Sequence, residues 1–157
     1  NKVLLSKAPK LPLKAYDDLG TFKLYTLDLG VLRKLSELDA SILLLPTPAY
    51  TEYKGALAEN YILQSLTAQF QMPFRYWTSG NKAEVDFLLQ YINQIYPIEV
   101  KADQNIQGKS LIQYEKLFQP ACRIRYSMLN LKQDGNLLNI PLFLADKTRE
   151  LLGVINV

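Results

Sequence analysis

Two stretches of alternating residues, 83–91 and 95–102, stand back to back near the middle of the chain. A period of two is the mark of a β-strand, because successive side chains leave opposite faces. A hairpin turning on Asn93-Gln94 pairs Ile92 with Ile95. Counting outward sets Leu88 against Glu99 and Asp86 against Lys101. Directly opposed residues share a face, as do residues two apart on one strand. Asp86, Glu99 and Lys101 then project from one face, with Glu84 at its edge. Val85, Phe87, Leu89, Ile98 and Val100 form the opposite, core-facing side. A slip of one residue would bury the charges, so the register is constrained.

The segments around this hairpin fit an α/β fold. Residues 22–27 alternate like a strand, and Asp28 is placed to cap a short helix after it. Pro46 and Pro48 mark a connector over residues 45–50. After it come a helix over 55–70, a strand over 74–78, the two hairpin strands, a helix over 110–118 and a strand over 122–129. Gln133-Asp134-Gly135-Asn136 reads as a turn, 140–144 as one more strand and 147–152 as a closing helix. The core order is helix, three strands, helix, strand, which implies a mixed sheet flanked by helices. Residues 1–50 are set apart as a linking segment, and 51–157 form the core.

In the first helix Glu59, Ile62, Leu63, Leu66 and Phe70 fall on one stripe at 100° per residue. A carboxylate on an apolar stripe needs a cation or a donor beside it. Glu59 therefore joins Asp86, Glu99 and Lys101 as a candidate site. Two carboxylates about 5 to 8 Å apart on neighbouring strands repel each other. A hard divalent cation, Mg²⁺ or Mn²⁺, relieves that repulsion with oxygen ligands from Asp86 and Glu99. A lysine beside it suits metal-assisted phosphodiester hydrolysis. The same alternation is also what a half-exposed strand with a surface ion pair shows, so the pattern leaves both readings open.

Composition excludes several alternatives. The chain has no histidine, which removes Ser-His-Asp and Cys-His catalysis and His-ligated zinc within it. Its single cysteine, Cys122, permits no internal disulfide and fits a reducing, cytoplasmic setting. Cys122 itself reads as a small buried residue. No apolar run approaches the roughly 20 residues of a membrane span, and no secretory leader is visible. The net charge of +3 tolerates an anionic partner without demanding one. Arg123 and Arg125 alternate on a strand and read as an exposed face or as phosphate contacts. Lys109 and Ser110 open a helix, where they either cap it or meet a phosphate. The ten tyrosines and Trp77 read chiefly as core.

Gly55-Ala56-Leu57-Ala58-Glu59-Asn60-Tyr61, Tyr76-Trp77-Thr78, Glu84-Val85-Asp86-Phe87 and Pro97-Ile98-Glu99-Val100-Lys101 together resemble a widespread domain of unassigned function. That domain lies at the C-terminus of bacterial and archaeal AAA-type ATPases. Pro12-Leu13-Lys14-Ala15-Tyr16, residues 22–30 and Asn139-Ile140-Pro141-Leu142 extend the resemblance over nearly the whole chain. The domain in turn looks like the PD-(D/E)XK, restriction-endonuclease-like superfamily. The resemblance implies a helix glutamate at Glu59, a metal-binding aspartate at Asp86 and the E-x-K pair at Glu99 and Lys101. It also implies polar groups on the following helix, Gln113 or Ser110, and favours DNA; Lys109 joins them as a nucleic-acid contact only through its place at the helix start.

Val85 stands where the superfamily pattern has proline, and no G-x-x-x-x-G-K-[ST] loop is present. The chain opens on Asn1 rather than Met and reads as a piece of something longer, and the resemblance implies an ATPase domain upstream. A catalytically inactive module that binds DNA or protein, or assembles homo-oligomers, is the alternative. In that version Glu59 and Lys101 form a structural ion pair. Fold alone does not decide between them.

Overall fold

The computed structural model describes residues 1–37, 48–80, 82–102 and 108–155. The connector expected over 45–50 lies outside them up to residue 47. An eight-stranded mixed sheet runs through the molecule. Its strands are β1 (Lys2–Ser6), β2 (Asp17–Leu24), β3 (Arg75–Thr78), β4 (Glu84–Tyr91), β5 (Gln94–Val100), β6 (Arg123–Ser127), β7 (Lys132–Asp134) and β8 (Leu137–Pro141). Among the described residues the α-helices are α1 (Leu29–Leu35), α2 (Pro48–Phe70), α3 (Lys109–Phe118) and α4 (Thr148–Ile155). The strand order is β2-β1-β3-β4-β5-β6-β8-β7. β1 runs parallel to β3, and β6 parallel to both β5 and β8, while the other neighbours are antiparallel. The α/β class and the core order helix, three strands, helix, strand both hold as α2, β3, β4, β5, α3, β6.

Local chemistry explains most of these elements. Asp28 caps α1 by accepting the Val31 N–H at 2.9 Å, as its position predicts. Pro48 begins α2, where a missing N–H costs nothing, so the helix starts seven residues before the expected 55. The boundary placed at residue 50 thus falls inside α2. Gly135, at φ +57°, turns the β7–β8 hairpin. The strand expected over 140–144 instead lies at β8, and a 3-10 turn over Leu142–Lys147 follows it. β1 was not anticipated: Lys2-Val3-Leu4-Leu5-Ser6 shows no alternation of apolar and polar residues, and partners on both sides fix the strand.

Two apolar layers sandwich the sheet. The larger one gathers Ile62, Leu63 and Leu66 of α2 with Phe87, Leu89, Ile98, Ile124, Tyr126 and Leu152. Here the predicted α2 stripe is buried, with Phe70 packed at its rim. The smaller layer, under α3, holds Leu13, Trp77, Val85, Leu88, Leu111 and Tyr114. The Tyr126 hydroxyl meets Thr148 Oγ1 at 2.5 Å, tying the sheet to α4.

Candidate functional site

The hairpin carries the candidate residues, but its register differs from the sequence expectation. Its turn is Ile92-Asn93, not Asn93-Gln94, so Tyr91 faces Gln94 and Phe87 faces Ile98. Both turn residues have positive φ, 44° and 56°, the backbone a two-residue turn between twisted strands requires. The shift is two residues. It preserves which residues of β5 share a face and changes which residues are opposed. Asp86 does not face Lys101.

A second feature reshapes the site. Arg75 pairs with Leu88 and Trp77 with Val85, so β4 spends one extra residue against β3. This is a β-bulge. Alternation changes phase across it: Val85 and Leu88 lie in the layer under α3, while Phe87 and Leu89 lie in the layer under α2. The expected division into one charged face and one core face is therefore corrected. Both faces are covered, and Val85 has left the side of Phe87.

The sheet forks just beyond the bulge. Pairing of β4 with β5 ends at Phe87 and Ile98. From there β4 follows β3 to Glu84, and β5 follows β6 through Glu99 and Val100. Asp86 stands on one prong, Glu99 and Lys101 on the other. Asp86 Oδ2 accepts the Val100 N–H at 2.7 Å, so a side chain supplies the acceptor that the parted strand withdraws. Glu99 is 1% exposed, and its Oε1 meets Lys101 Nζ at 3.2 Å. Its Oε2 is buried with no hydrogen-bond partner. Arg125 pairs with Glu99 across β5 and β6.

Glu59 approaches from α2. Its Oε2 accepts from the Tyr25 hydroxyl at 2.9 Å, and a cavity of about 340 Å³ lined by Tyr25, Glu52, Glu59 and Asn60 opens beside it. The Glu59–Lys101 ion pair of the alternative reading does not form, since Lys101 holds Glu99 and Glu59 holds Tyr25. Lys23, not anticipated, completes the group. Its ammonium contacts Glu84 and lies 5.0 Å over the Tyr76 ring. Lys23 and Tyr25 alternate in the sequence, a signal that marked a strand but not its proximity to α2 and β4.

Electrostatics follow from this crowding. Burial, then the neighbouring Glu59 charge, pushes the Asp86 carboxyl up to about 7, against the opposing pull of the Val100 N–H and Lys23. Burial raises Glu99 as well, opposed by Lys101 and Arg125. Burial pulls Lys23 down, yet Glu84, helped by Glu59 and Asp86, holds it above the ordinary lysine value. Burial and Glu59 raise Tyr25.

The remaining candidates lie apart. Lys109 is exposed, and Ser110 and Gln113 are half-buried on α3. No hydrogen bond or ion pair among the described residues joins them to Asp86, Glu99 or Lys101. Neither Lys109 nor Ser110 caps α3: Gly108 holds the cap position, without a side-chain bond. Arg125 is not on an exposed face, being half-buried with its Nε donating to Asn139 at 3.3 Å. Arg123 is buried and pairs with Glu115 at 3.0 Å. Cys122 is buried, as expected.

A sequence profile described as a domain of unknown function, DUF4143, matches residues 54–143, more than half of the chain and nearly all of this site. The chain belongs to that family. A search of curated proteins and a search of solved structures each found no match. The DUF4143 match takes in Glu59, the bulge, both prongs of the fork and α3, and leaves Lys23 and Tyr25 outside it. No described helix is long and apolar enough to cross a membrane. Among the described residues, no three His, Cys, Asp or Glu side chains gather as a metal cluster would gather them.

Proposed function

We propose that the fork is the reaction centre of a nucleic-acid-cleaving domain of the PD-(D/E)XK type, carried by a cytoplasmic AAA-type ATPase and acting on DNA. The observation that carries this reading is Glu99 Oε2, a buried carboxylate oxygen without a partner, beside a lysine at the parting of two strands. A buried charge left half-satisfied costs stability, so function is the natural reason to keep it.

The residues fit a hard divalent cation. The candidate donors are carboxylate oxygens, the ligand type that Mg²⁺ and Mn²⁺ take, and one of them is unpaired. Asp86 and Glu99 would hold the ion, with Glu59 behind Asp86. When bound, such an ion polarises a phosphoryl oxygen and acidifies a water. The chain's own residues do the rest. Lys101, a third exposed and paired with Glu99, would offer its ammonium to a phosphoryl oxygen. The Val100 N–H aims the Asp86 carboxylate into the fork.

Titration calorimetry with Mn²⁺ tests this. Wild-type protein is expected to bind saturably, and Glu99→Ala to lose the binding, with cleavage of labelled DNA lost alongside. Absence of binding in wild type would sink the proposal.

A second reading has its own support. Lys101 pairs with Glu99 Oε1 and the Val100 N–H with Asp86 Oδ2, so protein groups already meet both carboxylates at one oxygen each. Leu19, Leu24, Leu27 and Leu35, along β2 and α1, are each roughly 70% exposed. Those features suit a non-catalytic module that docks the ATPase or a second copy of itself. It predicts folding and assembly indifferent to Mn²⁺.

A further inference from the structure

Registers across four strands set Glu99, Arg125, Asn139 and Lys132 side by side in one row. Their chain neighbours Ile98, Ile124 and Leu138 lie in the layer under α2, as do Val100, Tyr126 and Ile140. The row therefore faces the opposite side. Beyond Glu99 it opens into a groove of about 420 Å³. Arg125 and Asn139 form its floor, Lys132 its far side, and Leu129 and Asn130 one wall. Leu137 and Asp134 form the other wall, in the next row toward α3, where Arg123 is held by Glu115.

The groove is built rather than incidental. Asn139 is 5% exposed and joins three elements. Its Oδ1 accepts from Arg125 Nε at 3.3 Å and from Ser127 Oγ at 2.8 Å. Its Nδ2 donates to the carbonyls of Leu129 at 3.3 Å and Asn130 at 2.9 Å. One buried amide thus fixes both the Arg125 guanidinium and the loop that walls the groove.

We propose that this groove takes the sugar-phosphate backbone of a single nucleic-acid strand and leads it to the fork. The inference rests on the nucleic-acid reading above and gives that site its substrate path. Strands lie about 4.8 Å apart, so the row from β5 to β7 spans about 14 Å, room for about four stacked nucleotides at roughly 3.4 Å each. Lys132 stands at one end of the row and Arg125 within it, while Lys101 lies two residues past Glu99, bonded to it, at the other. Arg125 presents planar donors of the kind that phosphate oxygens accept. Asp134 lies off the row, beside Leu137, and repels a strand that strays toward α3. A groove of about 420 Å³ suits the backbone of one strand rather than the body of a duplex.

Fluorescence anisotropy with a labelled 12-nucleotide DNA strand in EDTA tests the path without calling on the fork's cation. Lys132→Glu, on an exposed strand, is expected to weaken binding about tenfold and to reduce the slope of log affinity against log salt by about 0.7. Lys147→Glu, an exposed charge change on the 3-10 turn, is expected to leave binding unchanged. RNA of the same sequence shows whether the sugar is read as well as the phosphate.

Equal losses in the two variants would overturn the groove as a specific path. So would tighter binding of the duplex, or equal competition by a polyglutamate peptide, which would assign the face to acidic protein. A Lys132 effect in a protein that binds no Mn²⁺ would keep the path and remove the nuclease.

Discussion

In EDTA the protein is expected to lose about 4 kcal/mol of stability between pH 4 and pH 7, and Asp86→Asn is expected to abolish most of that loss. The Asp86 carboxyl moves from 3.8 to about 7 on folding, chiefly through burial and the charge of Glu59. A raised carboxyl pKa means that the folded state holds a proton the unfolded chain has released. Stability is then fully present below the unfolded value and declines as pH rises to the folded one. Three units correspond to about 4 kcal/mol. Glu99 shifts in the same direction and adds to the slope. Asparagine keeps an oxygen to accept the Val100 N–H and has no charge to desolvate, so the variant gains stability at pH 7. Chemical denaturation at five pH values reads both curves. A flat wild-type profile would mean that Asp86 ionises as freely in the fold as in water. If the fork holds a cation, Mn²⁺ flattens the wild-type profile too, because the ionised carboxylate then has its counter-charge.

The sequence revealed this site unevenly, for identifiable reasons. Alternation located β4 and β5 within one or two residues, because a strand between two apolar layers has little freedom in phase. It assigned the wrong turn, since Ile92 is a poor choice for positive φ and Asn93-Gln94 looked better. The bulge at Asp86 left no mark in composition. It is fixed by how Arg75 and Trp77 on β3 pair with β4, and no window on β4 contains that information. Yet the bulge aims Asp86 into the fork. The α2 stripe predicted Glu59 at the sheet, and it is there, though its partner is Tyr25 rather than Lys101. Lys23 and Tyr25 escaped because β2, which carries Lys23 and ends just before Tyr25, lies far from β4 in sequence. Long-range placement of this kind is set by packing, not by local pattern.

Lys101→Met separates a catalytic fork from a structural one. Removing the ammonium leaves Glu99 buried beside Arg125 alone. The expected cost is about 2 to 4 kcal/mol, less than for a fully enclosed pair because Arg125 remains and a third of Lys101 faces water. Cleavage, where the fork is active, is expected to fall about 10²- to 10³-fold through loss of charge stabilisation at the phosphoryl oxygens. The two effects part in the double variant Glu99→Gln, Lys101→Met. Neutral glutamine removes the stranded charge, so thermal unfolding returns close to wild type. Cleavage and Mn²⁺ binding stay lost, because neither the carboxylate nor the ammonium is present. A purely structural pair behaves otherwise: the double variant then regains every property of the wild type, nucleic-acid binding in the groove included. Because Lys101 also ends the groove's path, circular dichroism rather than groove binding serves as the control for folding around the fork, where Arg125 keeps its bond to Asn139.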